Sequence, residues 1–164
     1  MRPSSESPDW GGPSAIMNIG MNDLRYEELK QKLGADVASS IYIEFIQAYS
    51  LHVARLDPDI FNQVDHGSSD ALPKILEIYE SETEHLFPQD ITVQLSEILR
   101  SMARTWESTT ARLLRKAKGA PIDAGLGLVV QEMAFGLGEG ESGTGVLQLI
   151  DENSGRPKIK GRYT

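Results

Sequence analysis

The chain has no cysteine among its 164 residues. That excludes disulfides and thiolate metal sites and suits a reducing compartment, so a cytoplasmic location is expected. It also lacks any apolar run near the roughly 18 residues needed to cross a bilayer. Its opening stretch, MRPSSESPDW, has neither the basic head nor the apolar middle of a signal peptide. Positive charge is in deficit, with 16 Lys and Arg against 24 Asp and Glu for a net charge of −8. Nucleic acids and membrane surfaces are anionic, so neither is expected as a partner. Histidines are scattered: His52, His66 and His85 have no second histidine or acid at a ligand spacing, and no metal site is expected. No Ser-His-Asp or Cys-His set can be assembled, so no catalytic residue is assigned.

What is present suffices for one domain, or a domain with a subdomain, and a real core, at 40% hydrophobic and 24% charged. Residues 1–14 are rich in Pro, Ser and Gly and read as loop, followed by a short apolar piece at 15–19 closed by Gly20. Asn22 or Asp23 can cap a helix that runs to Leu33 and ends at Gly34. Over residues 35–56, Ala38, Ile41, Tyr42, Phe45, Ile46, Tyr49, Val53 and Leu56 recur at helical steps until Asp57-Pro58 stops them. Residues 59–64 offer one further turn. A helix over 70–85 carries Leu72, Ile75, Leu76, Tyr79 and Leu86 on one side until Phe87-Pro88 breaks it. Asp90 then caps a long helix to about residue 118, with Leu95, Ile98, Leu99, Met102, Trp106 and Leu113 in period.

After Gly119-Ala120-Pro121 the texture changes. Residues 126–134, 142–150 and 157–163 read as strands, the last two separated by the turn Asn153-Ser154-Gly155. Helices followed by strands, without alternation, predict an α+β fold. Glu80, Glu82 and Glu84 sit two apart, diverge on a helix, and read as a solvated acidic face. Lys158, Lys160 and Arg162 alternate along a strand and share a face, which suits either anion binding or protection of an exposed edge. The most suggestive stretch is EMAFGLGEGESGTGVLQL. Gly138, Gly140 and Gly143 fit G-x-G-x-x-G, but the dinucleotide fingerprint needs a helix next, and a strand follows here. Glu139 and Glu141 also put negative charge where phosphate would sit. The remaining reading is a glycine-rich loop joining two antiparallel strands, a hairpin that can still fold over a nucleotide.

Several pieces together carry a resemblance. VVQEMAFG with GESGTGV is similar to V-Q-x-M-V-F-G, a glycine loop and S-G-T-G-V in the pyruvate phosphate dikinase and phosphoenolpyruvate synthase family. NIGMND at 18–23 resembles the family's N-L-G-L-N-D, and IEFIQAYSLHV resembles its R-F-I-Q-M-Y-G-x-V-V helix. FPQD at 87–90 with Gln94-Leu95 resembles F-P-Q-D-P-x-x-Q-L, and Trp106, Ala111 and Arg115 resemble S-W-x-x-x-x-A-x-x-Y-R. The order and spacing are the family's along nearly the whole chain.

The resemblance implies part of an ATP-grasp-type nucleotide-binding domain. Residues 1–21 would be its loop and short strand, 22–118 an inserted helical subdomain, and 119–164 a β-rich segment. Gln131, Glu132, Met133 and Ala134 would form the hinge against adenine. Gly138, Gly140, Ser142, Gly143, Thr144 and Gly145 would close over the phosphates. Arg2 falls where the family has a phosphate-gripping arginine, a role suited to fixed, permanently charged donors. Family enzymes move a phosphoryl group from ATP, with Mg²⁺, to a carrier histidine and on to pyruvate. The family's nucleotide-binding lysine would lie before Met1, and its Mg²⁺ ligands after Thr164. The carrier histidine and pyruvate-binding domain are absent too, so this chain is expected to be inactive alone and to need those domains in trans. Three family motifs are altered. G-M-M-D-T reads Gly11-Gly12-Pro13-Ser14-Ala15, F-T-R-N-P reads Gln148-Leu149-Ile150-Asp151-Glu152, and G-E-Y reads Gly161-Arg162-Tyr163. A non-catalytic regulatory or interaction module derived from the domain is the alternative, and a plain helical interaction domain a third.

Overall fold

Helix α1 (Asp23–Leu33) starts because the Asn22 side-chain oxygen accepts the Arg25 amide at 2.8 Å, and it ends at Gly34 with φ 88°. Helix α2 (Ala35–Tyr49) follows directly and continues as a π-helical turn, Ser50–Ala54, to Arg55, whose φ of 64° is left-handed. The predicted stripe over 35–56 is therefore one rod with two hydrogen-bonding patterns. A 3-10 turn, Pro58–Phe61, leads to α3 (Ala71–Thr83) and then α4 (Ile91–Trp106). This computed structural model describes residues 1–134, 136, 141–151 and 154–163. They fall into two units, Met1–Glu132 and Met133–Thr164. Among the described residues no helix is long and apolar enough to cross a membrane.

The helix predicted over 90–118 is two helices, α4 and α5 (Thr109–Ala117). Ser108 makes the break. Its hydroxyl donates to the Thr105 carbonyl at 2.8 Å and accepts the Ala111 amide at 3.3 Å, closing one helix and opening the next. Leu113, assigned to the buried stripe by periodicity, is consequently 61% exposed. Ser108→Ala is expected to cost about 1 kcal/mol, seen as a lower urea midpoint with an unchanged slope.

The core is built on α2, whose Ala38, Tyr42, Phe45, Ile46 and Tyr49 are at most 1% exposed. Ile75 of α3, and Ile98 and Met102 of α4, close over it. Leu86, predicted on the buried side of the 70–85 helix, is exposed, because α3 ends at Glu84 in a left-handed conformation and Phe87 turns inward instead. Burial pushes the Tyr42, Tyr49 and Tyr79 hydroxyls above the usual phenol range, with Asp23 adding to the first and Glu97 to the other two. The fold thus favours the neutral phenols. Their contribution is complete below the unfolded value of 10.0 and is lost as pH rises above it. Alkaline titration is expected to show tyrosinate absorbance from these three only together with loss of helical circular dichroism. Ionisation with the helices intact would contradict it.

The motifs that carry the resemblance meet in space. Asn22 donates to the Gln89 carbonyl at 3.0 Å, and the Gln89 side chain accepts the Asp23 amide at 2.8 Å. Gln94 accepts the Gly20 amide at 3.0 Å and donates to the carbonyls of Met21 and Pro88 at 2.9 and 2.7 Å. Arg115 lies 3.8 Å from the Trp106 ring centroid and donates to the Trp106 carbonyl at 2.7 Å. Asn22, Gln89 and Gln94 thus clip segments distant in sequence, and Arg115 ties α5 back to the end of α4, both structural tasks.

The β-structure differs from expectation in pairing. Arg2–Ser4, read as loop, is strand β1, and it pairs antiparallel with β2 (Gly127–Val129), all that is regular of the strand predicted over 126–134. In the second unit β3 (Gly145–Ile150) pairs antiparallel with β4 (Pro157–Tyr163). Among the described residues each sheet has two strands, β2 pairing with β1 and β3 with β4, where the sequence predicts a hairpin of the segments flanking the glycine stretch. Mixed helices and small antiparallel sheets make the fold α+β.

Candidate functional site

In the first unit the pairing sets Arg2 opposite Val129. Because β2 runs on into Gln131 and Glu132, Arg2 stands beside the strand that feeds the predicted hinge. Arg2, Gln131 and Glu132 are all exposed, and among the described residues no carboxylate lies within ion-pair reach of Arg2. The loop reading Gly11-Gly12-Pro13 packs inward instead. A Cβ built on Gly11 would lie 2.9 Å from a Leu114 methyl, and one on Gly12 would lie 3.6 Å from the Trp106 ring. Beside this loop is a cavity of about 110 Å³ bordered by His52 and Arg55. Burial, with the Arg55 charge, holds the His52 imidazole below its usual range.

In the second unit Met133, Ala134, Ser142, Gly143, Thr144 and Gly145 are exposed. A Cβ built on Gly136 would lie 2.3 Å from the Gly143 carbonyl oxygen and 3.3 Å from the Thr144 nitrogen. The chain therefore doubles back on itself there, in a contact that only glycine admits. Gly143, Thr144 and Gly145 join Leu147, Arg162 and Tyr163 around an open hollow of about 400 Å³. Gly138 and Gly140 lie outside the described residues. Cross-strand register puts Lys160 and Arg162 on one ribbon face with Gln148 and Val146, while Lys158 is paired with Asp151 at 2.8 Å. Leu147 and Tyr163 were not among the site residues expected from the sequence. Only the register, Leu147 opposite Gly161 and Gly145 opposite Tyr163, brings them to the hollow.

Chemically, these segments offer guanidinium, hydroxyl and glycine backbone, which suit phosphate oxygens. Among the described residues no group of three or more His, Asp or Glu side chains is placed to hold a metal ion.

Comparison with known proteins supplies the relationship. Pyruvate, phosphate dikinase of Clostridium symbiosum is 28% identical over 93% of this chain. This chain is homologous to part of pyruvate, phosphate dikinase. The dikinase of Rickettsia bellii matches at 25% and the chloroplastic dikinase 1 of Zea mays at 26%, each again over 93% of the chain. The chain spans only about a fifth of these dikinases' length, 18 to 20%. No family model matches it.

Proposed function

We propose that this chain is part of an ATP-grasp-type nucleotide-binding domain of a dikinase-like phosphotransferase. In this reading residues 1–21 and 119–164 serve the nucleotide, and 22–118 form a helical subdomain inserted between them. Arg2 grips phosphate; Gln131, Glu132, Met133 and Ala134 face adenine through their backbone. Ser142, Gly143, Thr144 and Gly145, with Gly138 and Gly140, cover the phosphates. The carrying observation is a dikinase match over 93% of the chain. The position of Arg2 beside the strand entering Gln131 supports it. The donor set fits a nucleotide; Mg²⁺ needs carboxylates, and among the described residues none are grouped to hold it. Phosphoryl transfer rests on positioning and charge neutralisation. These residues by themselves therefore bind ATP weakly and transfer nothing without carrier-histidine and pyruvate-binding domains.

The test is thermal melting with and without ATP. A modest nucleotide-dependent rise is expected, lost in Arg2→Gln, whose exposed side chain leaves the unliganded melting point unchanged. No rise at millimolar ATP would overturn the reading. A second reading, a non-catalytic regulatory module, is favoured by the loop at Gly11 and Gly12, which is occupied in packing against Leu114 and Trp106. ATP binding without phosphotransfer when the carrier domain of a dikinase is supplied would select it.

A further inference from the structure

Within the first unit, α3, α4 and the π turn enclose an open hollow of about 410 Å³ that the nucleotide reading leaves unused. Its volume falls in the range of small-molecule sites. One wall is apolar, from Val53 and Ala54 of the π turn and Leu56 just after it. π turns recur at functional sites because the extra residue in the turn re-aims the side chains beyond it. The facing wall is polar and comes from one stripe of α4, Glu97, Arg100 and Arg104, spaced three and four apart. At the inner end the Tyr49 hydroxyl donates to Glu97, and Tyr79 lines the same wall, so the carboxylate already has a partner.

The arginines do not. Both are exposed, and among the described residues neither has a carboxylate within ion-pair distance. Two unpaired guanidiniums one helical turn apart repel each other. They also present forked N–H donors that match an oxyanion bidentately. His85 adds a further donor at the rim. The net charge of −8, with Glu82 and Glu97 in the wall, disfavours an extended polyanion, and a compact ligand avoids that cost.

We propose that this hollow binds a small organic oxyanion, a carboxylate or phosphate monoester with a short apolar body. Arg100 and Arg104 take the oxyanion, and Val53, Ala54 and Leu56 take the body. The site is independent of the nucleotide reading.

Calorimetric titration with phenyl phosphate, benzoate and inorganic phosphate tests it. Phenyl phosphate and benzoate are expected to bind with dissociation constants of about 1 mM or tighter. Inorganic phosphate, which has no body to bury, should bind about tenfold more weakly. The double variant R100Q/R104Q should lose at least tenfold for phenyl phosphate while its unliganded melting point stays at or slightly above the wild-type value. Arg2→Gln should change none of these affinities. No heat with any probe at about 10 mM would overturn the site. So would phenyl phosphate binding that is no tighter than inorganic phosphate, or that survives the double substitution.

Discussion

Replacing Gln94 with leucine is expected to remove about 3 kcal/mol of stability, because three backbone groups lose their partner at once. Gln94 is completely buried, holding the Gly20 amide through its carbonyl oxygen and the Met21 and Pro88 carbonyls through its amide nitrogen. Leucine fills nearly the same volume, so the loss reports the hydrogen bonds and not a cavity. Gln94→Ala adds the cavity and should fall further. Gln94→Glu keeps an acceptor for Gly20 but sets a buried carboxylate against two carbonyls. That variant should be weakest near neutral pH and recover as pH falls and the acid regains a proton to donate. Urea denaturation of the three variants gives the order. A leucine variant within about 0.5 kcal/mol of wild type, the range of an unremarkable surface change, would show that the clip contributes nothing.

Phe87→Ala should be at least as damaging, at about 3–5 kcal/mol. Phe87 is 4% exposed, and its ring meets those of Tyr42, Phe45, Tyr49 and Tyr79 at centroid distances of 5.9, 5.6, 5.3 and 5.2 Å, all near edge-on. Such contacts contribute beyond buried area. Phe87→Leu restores bulk without the ring edges and should recover only part of the loss. The near-ultraviolet dichroism of the tyrosines gives a second readout, since three of them pack on this one ring. Unchanged tyrosine signals in a destabilised Phe87→Ala would mean that the cluster rearranges around the gap.

The helical half was legible because its signals are local. Asn22 caps, Gly34 releases, and the three- and four-residue steps of α2 match its buried residues. Ser108 was not legible as a break, since a serine sits without strain inside a helix and nothing nearby is glycine or proline. Phe87 read as half of a breaker, yet it is the hub of the aromatic core. The β-structure failed for a different reason. Strand character in 126–134 and 145–150 is written in the residues, but which strand each one meets depends on chain closure, and Arg2–Ser4 carries no strand signal of its own. The candidate site residues come from the resemblance alone, and the register adds Leu147 and Tyr163 beside Gly145.

The β1–β2 pairing has a kinetic consequence. It joins the first residues to a strand beyond α5, so it ties off a ring of chain that contains α1 to α5. Closing so large a ring costs entropy that only late, long-range contacts repay, and three residue pairs repay little. The helices therefore assemble first and this seam zips last. In hydrogen exchange its amides should open ahead of those in α2, so Arg2 would be free to swing while the helical core stays shut.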